Sequence, residues 1–428
     1  ERLESSRGSS DPFAVQRLID RLLPLDWGRK TLMEELTAAQ FAHSLKKSEA
    51  PLLALTMSRN APRAAAAARI LAQRLAQSGW RADADAVERR LLLEHPGMVG
   101  DGDQFEPRFD GKSKPRERLA SLPVDPWPPL VPSLQSVSKT HSDDVHCIPV
   151  FVDAMPGSLL DRLDVSIQRH GKFIRFAGEG HPGKWILRLP DSQSVLRTSF
   201  ASNDQYEAWG LGRLLVLRIG GELFGIFPLD ERGEPQASLA WAWPRDTDAI
   251  PRDLAKESFG REESIPARVG LRHERIRMLD EFGHVVASVG PVRPDYLCYQ
   301  SQGKLVALET QTGKRLWERR HVPVGCVSFG DEDRVYLWNT SERTLVVLSA
   351  VDGRTCENRP WEFAADDLLM QQGSLCWFAT ENSSRPDRSL DLQLRDACDG
   401  SVQWSNQFAA TAIPFVMDRD TIGVVELT

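Results

Sequence analysis

The chain has 428 residues, of which 41% are hydrophobic and 26% charged, and carries a formal net charge of −7. This length exceeds one ordinary core, so it predicts either two domains or one large repeat array with an accessory piece. The mild acidity and the lack of a long basic run weigh against a nucleic-acid scaffold, and no stretch approaches the roughly 18 uninterrupted apolar residues of a membrane-crossing helix.

The chain opens at Glu1 with no signal peptide, and its last run, Ile422–Thr428, reads as a strand with no turn or cap after it. The sequence therefore reads as a fragment, truncated at the C-terminus, and the missing targeting segment says little about the intact protein. Residues 1–10 are polar and Ser-rich and read as a disordered linker. Asp11 and Pro12 then form a helix start, with Phe13, Leu18, Ile19, Leu22 and Leu23 at helical spacing. Further helical stretches are predicted from Trp27 to His43 and from Ala50 to Met57.

The clearest helices follow. Asn60-Ala-Pro62 is a start signal, Ala64–Ser78 is nearly all helix formers, and Gly79 is a stop. A second helix is predicted from Ala82 to Glu94, ended by His95-Pro96-Gly97. This pair of about 35 residues resembles a tetratricopeptide-type hairpin in size and in its LLLEHPG ending, without the usual Trp and Tyr of the first helix; a small helical bundle is the other reading. Residues 11–97 are thus read as a helical domain. Residues 98–140, with Pro123, Pro126, Pro128, Pro129 and Pro132, read as an extended Pro-rich linker.

From residue 141 to 428 the texture is that of short apolar runs alternating with Gly/Asp turns. Three segments align: LVALETQTGKRLW (Leu305–Trp317), LVVLSAVDGRTCE (Leu345–Glu357) and LQLRDACDGSVQW (Leu392–Trp404). Their turn glycines, Gly313, Gly353 and Gly400, are 40 and 47 residues apart, a period that predicts β-propeller blades. In each unit an alternating strand ends at a turn needing positive φ, and the chain returns in a strand whose terminal Trp317 or Trp404 can plug the space between blades. Fainter copies place Gly233 with Trp241, and Gly183 with Trp185, in the same roles. The count is about five blades and a partial sixth opened by Phe415–Leu427. Residues 244–266 read as an insertion.

The run GKLVALETQTGKRLW resembles the repeat of pyrroloquinoline quinone (PQQ) enzyme propellers, which is similar to that of the lipoprotein propeller of the bacterial outer-membrane barrel-assembly machinery. The likeness extends over about 270 residues. It implies a mainly β fold, a quinoprotein-type propeller preceded by a small all-α domain, and a bacterial cell-envelope location. It does not by itself imply the cofactor. Quinoprotein dehydrogenases of that group carry a vicinal disulfide, calcium ligands and an Asp base; no Cys-Cys pair occurs here, and no ligand or base maps onto a matching position.

Other chemistry-bearing clusters are weaker. His141-Ser-Asp-Asp-Val-His146-Cys147 lacks a second ligand cluster for zinc. Asp101-Gly-Asp103 fails the later positions of a calcium loop. Gly220-Gly221 and Gly178–Gly183 read as hairpin turns, since neither leads into a helix. Trp377-Phe378, Trp241, Trp243 and Trp338 could form an aromatic face, but read as blade-interface filling. The six scattered cysteines (Cys147, Cys298, Cys326, Cys356, Cys376 and Cys398) read as free thiols, with a disulfide or two open if the protein is exported. No catalytic, cofactor or metal site is expected. The expected role is a non-catalytic scaffold for protein partners. The alternatives are a PQQ-dependent oxidoreductase whose cofactor residues lie elsewhere and a ligand-sensing module attached to a kinase or other enzyme.

Overall fold

A computed structural model describes residues 45–95, 147–168, 173–178, 183–190, 206–219, 222–243, 278–279, 285–301, 303–323, 326–364, 367–382, 389–409, 411–416 and 422–426. The expected linkers 1–10 and 98–140, the helical stretches before His43 and the insertion at 244–266 lie outside them. Among the described residues three helices come first: α1 (Leu45–Thr56), α2 (Ala61–Gln77) and α3 (Arg81–Glu94). In α2 the Asn60 side chain caps the first turn by accepting from the Arg63 N–H at 3.0 Å, Pro62 sits in that turn, and five consecutive alanines follow. Gly79 leaves it at a φ of +88°. The helix predicted from Ala50 in fact begins at Leu45 and carries Pro51 in its interior. Local propensity disfavours that, but Leu45, Leu52, Leu53 and Leu55 all reach the buried cluster shared by the three helices, and this burial outweighs the proline.

The β region is an open propeller. Blade 1 runs β1 (Cys147–Val150), β3 (Leu163–Gln168), β4 (Phe173–Gly178), β5 (Lys184–Arg188). Blade 2 is β2 (Val152–Asp153), β6 (Tyr206–Leu211), β7 (Leu214–Ile219), β8 (Glu222–Phe227) and β9 (Ser238–Trp243), with β2 parallel to β6. Blade 3 is β10 (Met278–Leu279), β11 (Val285–Val292), β12 (Tyr296–Ser301), β13 (Lys304–Glu309) and β14 (Arg315–Arg320). Blade 4 is β15 (Val327–Gly330), β16 (Arg334–Asn339), β17 (Thr344–Ser349) and β18 (Thr355–Pro360). Blade 5 is β19 (Leu368–Gln372), β20 (Leu375–Asn382), β21 (Ser389–Asp396) and β22 (Val402–Ala409), and β23 (Ala412–Val416) with β24 (Ile422–Glu426) opens a sixth. The first long strands of successive blades adjoin, β1 against β6, β11 against β15 and β19 against β23.

Burial falls from the middle of each blade to its outer edge. All six residues of β7 and all four of β15 are buried, whereas β18 and β22 are almost wholly exposed. The alternation expected of the repeat strand is absent: Leu305, Val306, Ala307 and Leu308 are all buried. A middle strand has a neighbouring blade on each face, so both of its faces are apolar.

Blades are joined by one recurring contact. The Trp241 indole N–H in β9 donates to the Thr310 carbonyl of blade 3 at 2.9 Å, and that of Trp317 in β14 to the Ala350 carbonyl of blade 4 at 2.8 Å. Trp185 in β5 donates likewise to Pro228 of blade 2 at 2.8 Å. The Trp241 ring lies between Gly225 of its own blade and Gly313 of the next, where an added Cβ would fall 2.7 Å from the ring; at Gly353 it would meet the Trp317 ring at 2.6 Å. Both turn glycines also hold positive φ, +63° and +70°, so close approach and backbone conformation exclude a side chain together. Trp241→Phe keeps an aromatic ring but removes the five-membered ring against Gly225 and with it the indole N–H, leaving the buried Thr310 carbonyl without its donor; urea unfolding should show a loss of about 1–3 kcal/mol. Trp404→Phe, on the exposed strand β22, should change stability by less than about 0.5 kcal/mol.

Candidate functional site

The helices lie as a cap over one face of the propeller, where the turns joining the first long strand of a blade to the second meet those joining its last two. The apolar cluster of the helices takes in Leu229 of blade 2, with Met155, Leu159 and Trp185 packed against it. Around this patch are three polar anchors.

The first is Glu49 of α1. Its carboxylate accepts from the Arg213 side chain at 2.7 Å and from the Arg213 backbone N–H at 3.1 Å, at the β6–β7 turn. Both residues are largely buried, and the Arg213 guanidinium also lies 5.4 Å from the centre of the Trp80 ring. Gly212 in this turn has no room for a side chain, since a Cβ there would fall 2.5 Å from the Glu49 carboxylate and 2.7 Å from Leu53. Burial raises the pKa of Glu49 even though Arg213 opposes the shift.

The second is Asp83 in the first turn of α3, which accepts from the Leu159 backbone N–H of blade 1 at 3.1 Å. Burial, reinforced by the charge of Glu49, pushes its carboxyl up to about 6.

The third is Arg59, between α1 and α2. Its guanidinium donates to Asp331 at 2.6 Å and lies 3.7 Å from Asp396 of blade 5, while its backbone N–H donates to Glu332 at 3.1 Å. Asp331 is set for this contact by its own turn: one carboxylate oxygen accepts from the N–H groups of Asp333 and Arg334, each at 2.9 Å, and the other from the Tyr336 hydroxyl at 2.9 Å. Burial and then the Asp331 charge push the Tyr336 hydroxyl well above its ordinary range, so it stays a donor. Tyr296 of blade 3 donates to the Asp331 carbonyl at 2.6 Å. Blades 3, 4 and 5 therefore converge on the loop that receives Arg59.

Each sequence-predicted position has a definite place. Gly183, Gly233, Gly313, Gly353 and Gly400 all have positive φ. Gly313 and Gly353 lie under Trp241 and Trp317, whereas a Cβ at Gly233 would meet Trp80 of the cap at 3.8 Å, and Gly183 and Gly400 have open space where a Cβ would be. Trp404, expected to plug an interface, is instead 41% exposed and rests on Trp377, with ring centroids 5.4 Å apart. In blade 4 the repeat has Glu357 where Trp317 stands in blade 3. There Arg359, two residues on, donates to the carbonyls of Ala397 and Cys398 in blade 5 and takes over the docking role. Trp338 and Phe378 are buried with Trp361 and Phe363 in an aromatic cluster between blades 4 and 5, and Trp241 and Trp243 are buried too. These aromatics fill interfaces rather than forming an exposed face.

Residues 101–103, 141–146, 179–182 and 220–221 lie outside the described residues. No group of His, Cys, Asp or Glu with metal-holding geometry occurs among the described residues. None of the six cysteines forms a disulfide. No helix among the described residues is long and apolar enough to cross a membrane.

No protein-family model matches the chain, and no curated protein matches. Among solved structures it is similar to BamB from Moraxella catarrhalis, at 14% identity and a TM-score of 0.33 over 64% of this chain and 70% of that one. It is also similar to the Cps50 (Swd1) β-propeller domain from Myceliophteria thermophila, at 8% identity and a TM-score of 0.33 over 65% and 82%. A europium-containing methanol dehydrogenase gives 11% identity and a TM-score of 0.26 over 47% and 41%. Strand pairing and Trp docking define the blades.

Two measurements check the site. Arg213→Ala leaves Glu49 buried without its counter-charge, and denaturation should show a loss of about 3 kcal/mol at pH 7.5. The loss should shrink at pH 5, because Glu49, with its raised pKa, takes up a proton sooner there. In native thiol labelling, exposed Cys356 should react at once, while Cys298, Cys326 and Cys376 should react only on unfolding. Burial raises the Cys298 thiol and pushes Cys326 up to about 12.

Proposed function

We propose that the chain is a non-catalytic protein-interaction scaffold in which a helical cap and a PQQ-like propeller form one binding body. The observation that carries this reading is the surface of blade 5 and its neighbour. Val402 and Trp404 of β22 are 47% and 41% exposed, and Ile413 and Val425 of the sixth blade 40% and 46%. These side chains lie on the outer strand of blade 5 and on the two strands that open the sixth blade, an edge that a further β surface, of the same chain or of a partner, would cover. By contrast, the ionisable residues described under the cap are engaged in holding cap and blades together. The acidic balance of the chain favours protein partners over nucleic acid.

The repeat's resemblance to envelope propellers supports a location in the bacterial cell envelope, in the periplasm or on the outer membrane. The exposed thiol of Cys356 gives that reading a test of its own, since an oxidising compartment acts on exposed thiols. Fractionation of cells producing the full-length protein should place it in the envelope.

The scaffold reading is tested by capture on immobilised chain, wild type beside a Val402→Ser/Trp404→Ala variant. Wild type should retain at least one protein saturably and the variant should lose it by tenfold or more. Equal retention by both, or substrate turnover on addition of PQQ with calcium, sinks the reading.

A further inference from the structure

The cap's seat on blades 1 and 2 places two carboxylates in a buried contact that few cations face among the described residues. Glu49 and Asp83 come from different helices, are each only 7% exposed, and are close enough for the charge of Glu49 to act on Asp83. Of the cations facing them, Arg213 is spent on Glu49 through both its side chain and its backbone N–H. Arg162, on the single 3-10 turn Leu160–Arg162, acts on Asp83 only at a distance, and its side chain donates to the Gly157 carbonyl at 3.0 Å. Arg89, on the same helix as Asp83, lies against Gly157 and donates to the Asp85 carbonyl at 3.2 Å. Asp161, the remaining charge on that turn, accepts from the Gly157 N–H at 2.7 Å and adds negative charge. The hydrogen bond Asp83 does make, from the Leu159 N–H, needs only a carbonyl-type oxygen, which a protonated carboxyl still offers.

We propose that the cap is a proton-coupled latch: uptake of a proton by the Glu49/Asp83 pair, centred on Asp83, tightens the seat of the helices on the propeller face, and its release loosens it. The direction follows from linkage. Burial under the cap pushes the Asp83 carboxyl up to about 6 from its ordinary value of 3.8, so seating takes up a proton. The added grip is complete below the ordinary value and is lost as pH rises through about 6. Arg59 and its acceptors Asp331 and Glu332 lie at the other end of the cap and provide a hinge that this step leaves in place. The cap covers the β6–β7 turn and the loop at Leu159, so a looser seat at neutral pH opens that part of the face to other ligands.

The test is hydrogen exchange of the full chain at pH 7.5 and pH 5.0, corrected for intrinsic rates, read at Leu159 and along α3. The Leu159 N–H crosses the junction to Asp83, so its protection reports seating. In wild type, protection should rise by roughly tenfold from pH 7.5 to 5.0, the change linkage gives for a carboxyl moved from 3.8 to about 6. Asp83→Asn keeps the acceptor oxygen and removes the charge; it should hold the high protection at both pH values. Wild-type protection that is flat or falls on acidification overturns the proposal whatever the variant does. So does an Asp83→Asn chain that folds and keeps the tenfold change.

Discussion

An indole N–H reaching across a gap to a carbonyl of the next blade is the contact on which this architecture rests. A four-stranded sheet has two apolar faces and no means of covering either alone. Trp185, Trp241 and Trp317 each cover part of that surface and also fix its register, because a buried N–H must find its acceptor. The turn glycines are the other half of the device: at Gly313 and Gly353 the ring occupies the volume a side chain would take. Where the tryptophan is missing, in blade 4, a guanidinium finds the equivalent carbonyls, so what persists is donation into the turn rather than the residue that supplies it.

The helical cap is held in another way. Its apolar contact with the propeller is centred on Leu229, and charged groups surround it. Buried ion pairs of this kind contribute little net stability but strongly penalise misplacement, because a carboxylate shifted off its partner stays desolvated without compensation. The cap is thereby located on blades 1, 2, 4 and 5 by a few directional contacts. The same desolvation makes the seat responsive to protons. Two buried carboxylates, with Arg213 committed to Glu49 and Arg162 acting on Asp83 only at a distance, set both the placement of the helices and its sensitivity to pH.

The propeller was legible in the sequence because its determinants are local and repeated. A Gly turn at a period near 40 and apolar runs between turns are visible without coordinates, and so is the Asn60–Pro62 start of α2. What misled was the strand pattern. Alternation is the mark of a sheet with one wet face, whereas Leu305–Leu308 sit between two blades and are buried on both. Trp404 shares the sequence environment of Trp317, yet only Trp317 has a neighbouring turn to receive its N–H among the described residues; a local motif states what a residue offers and not whether it is met.

The cap's seat left no trace in the sequence. Glu49, Asp83, Leu159 and Arg213 are ordinary residues up to 164 positions apart, and each alone suits a solvated surface. Their roles arise when tertiary packing removes water from between them, and electrostatic effects depend on distance and burial rather than on order along the chain. By itself, then, the sequence determined the repeating β unit, its turns and the helical nature of the segment before it. Only the tertiary structure decided which tryptophans dock, which arginine stands in for one, and where a carboxylate is held out of water, because those properties belong to the space between elements.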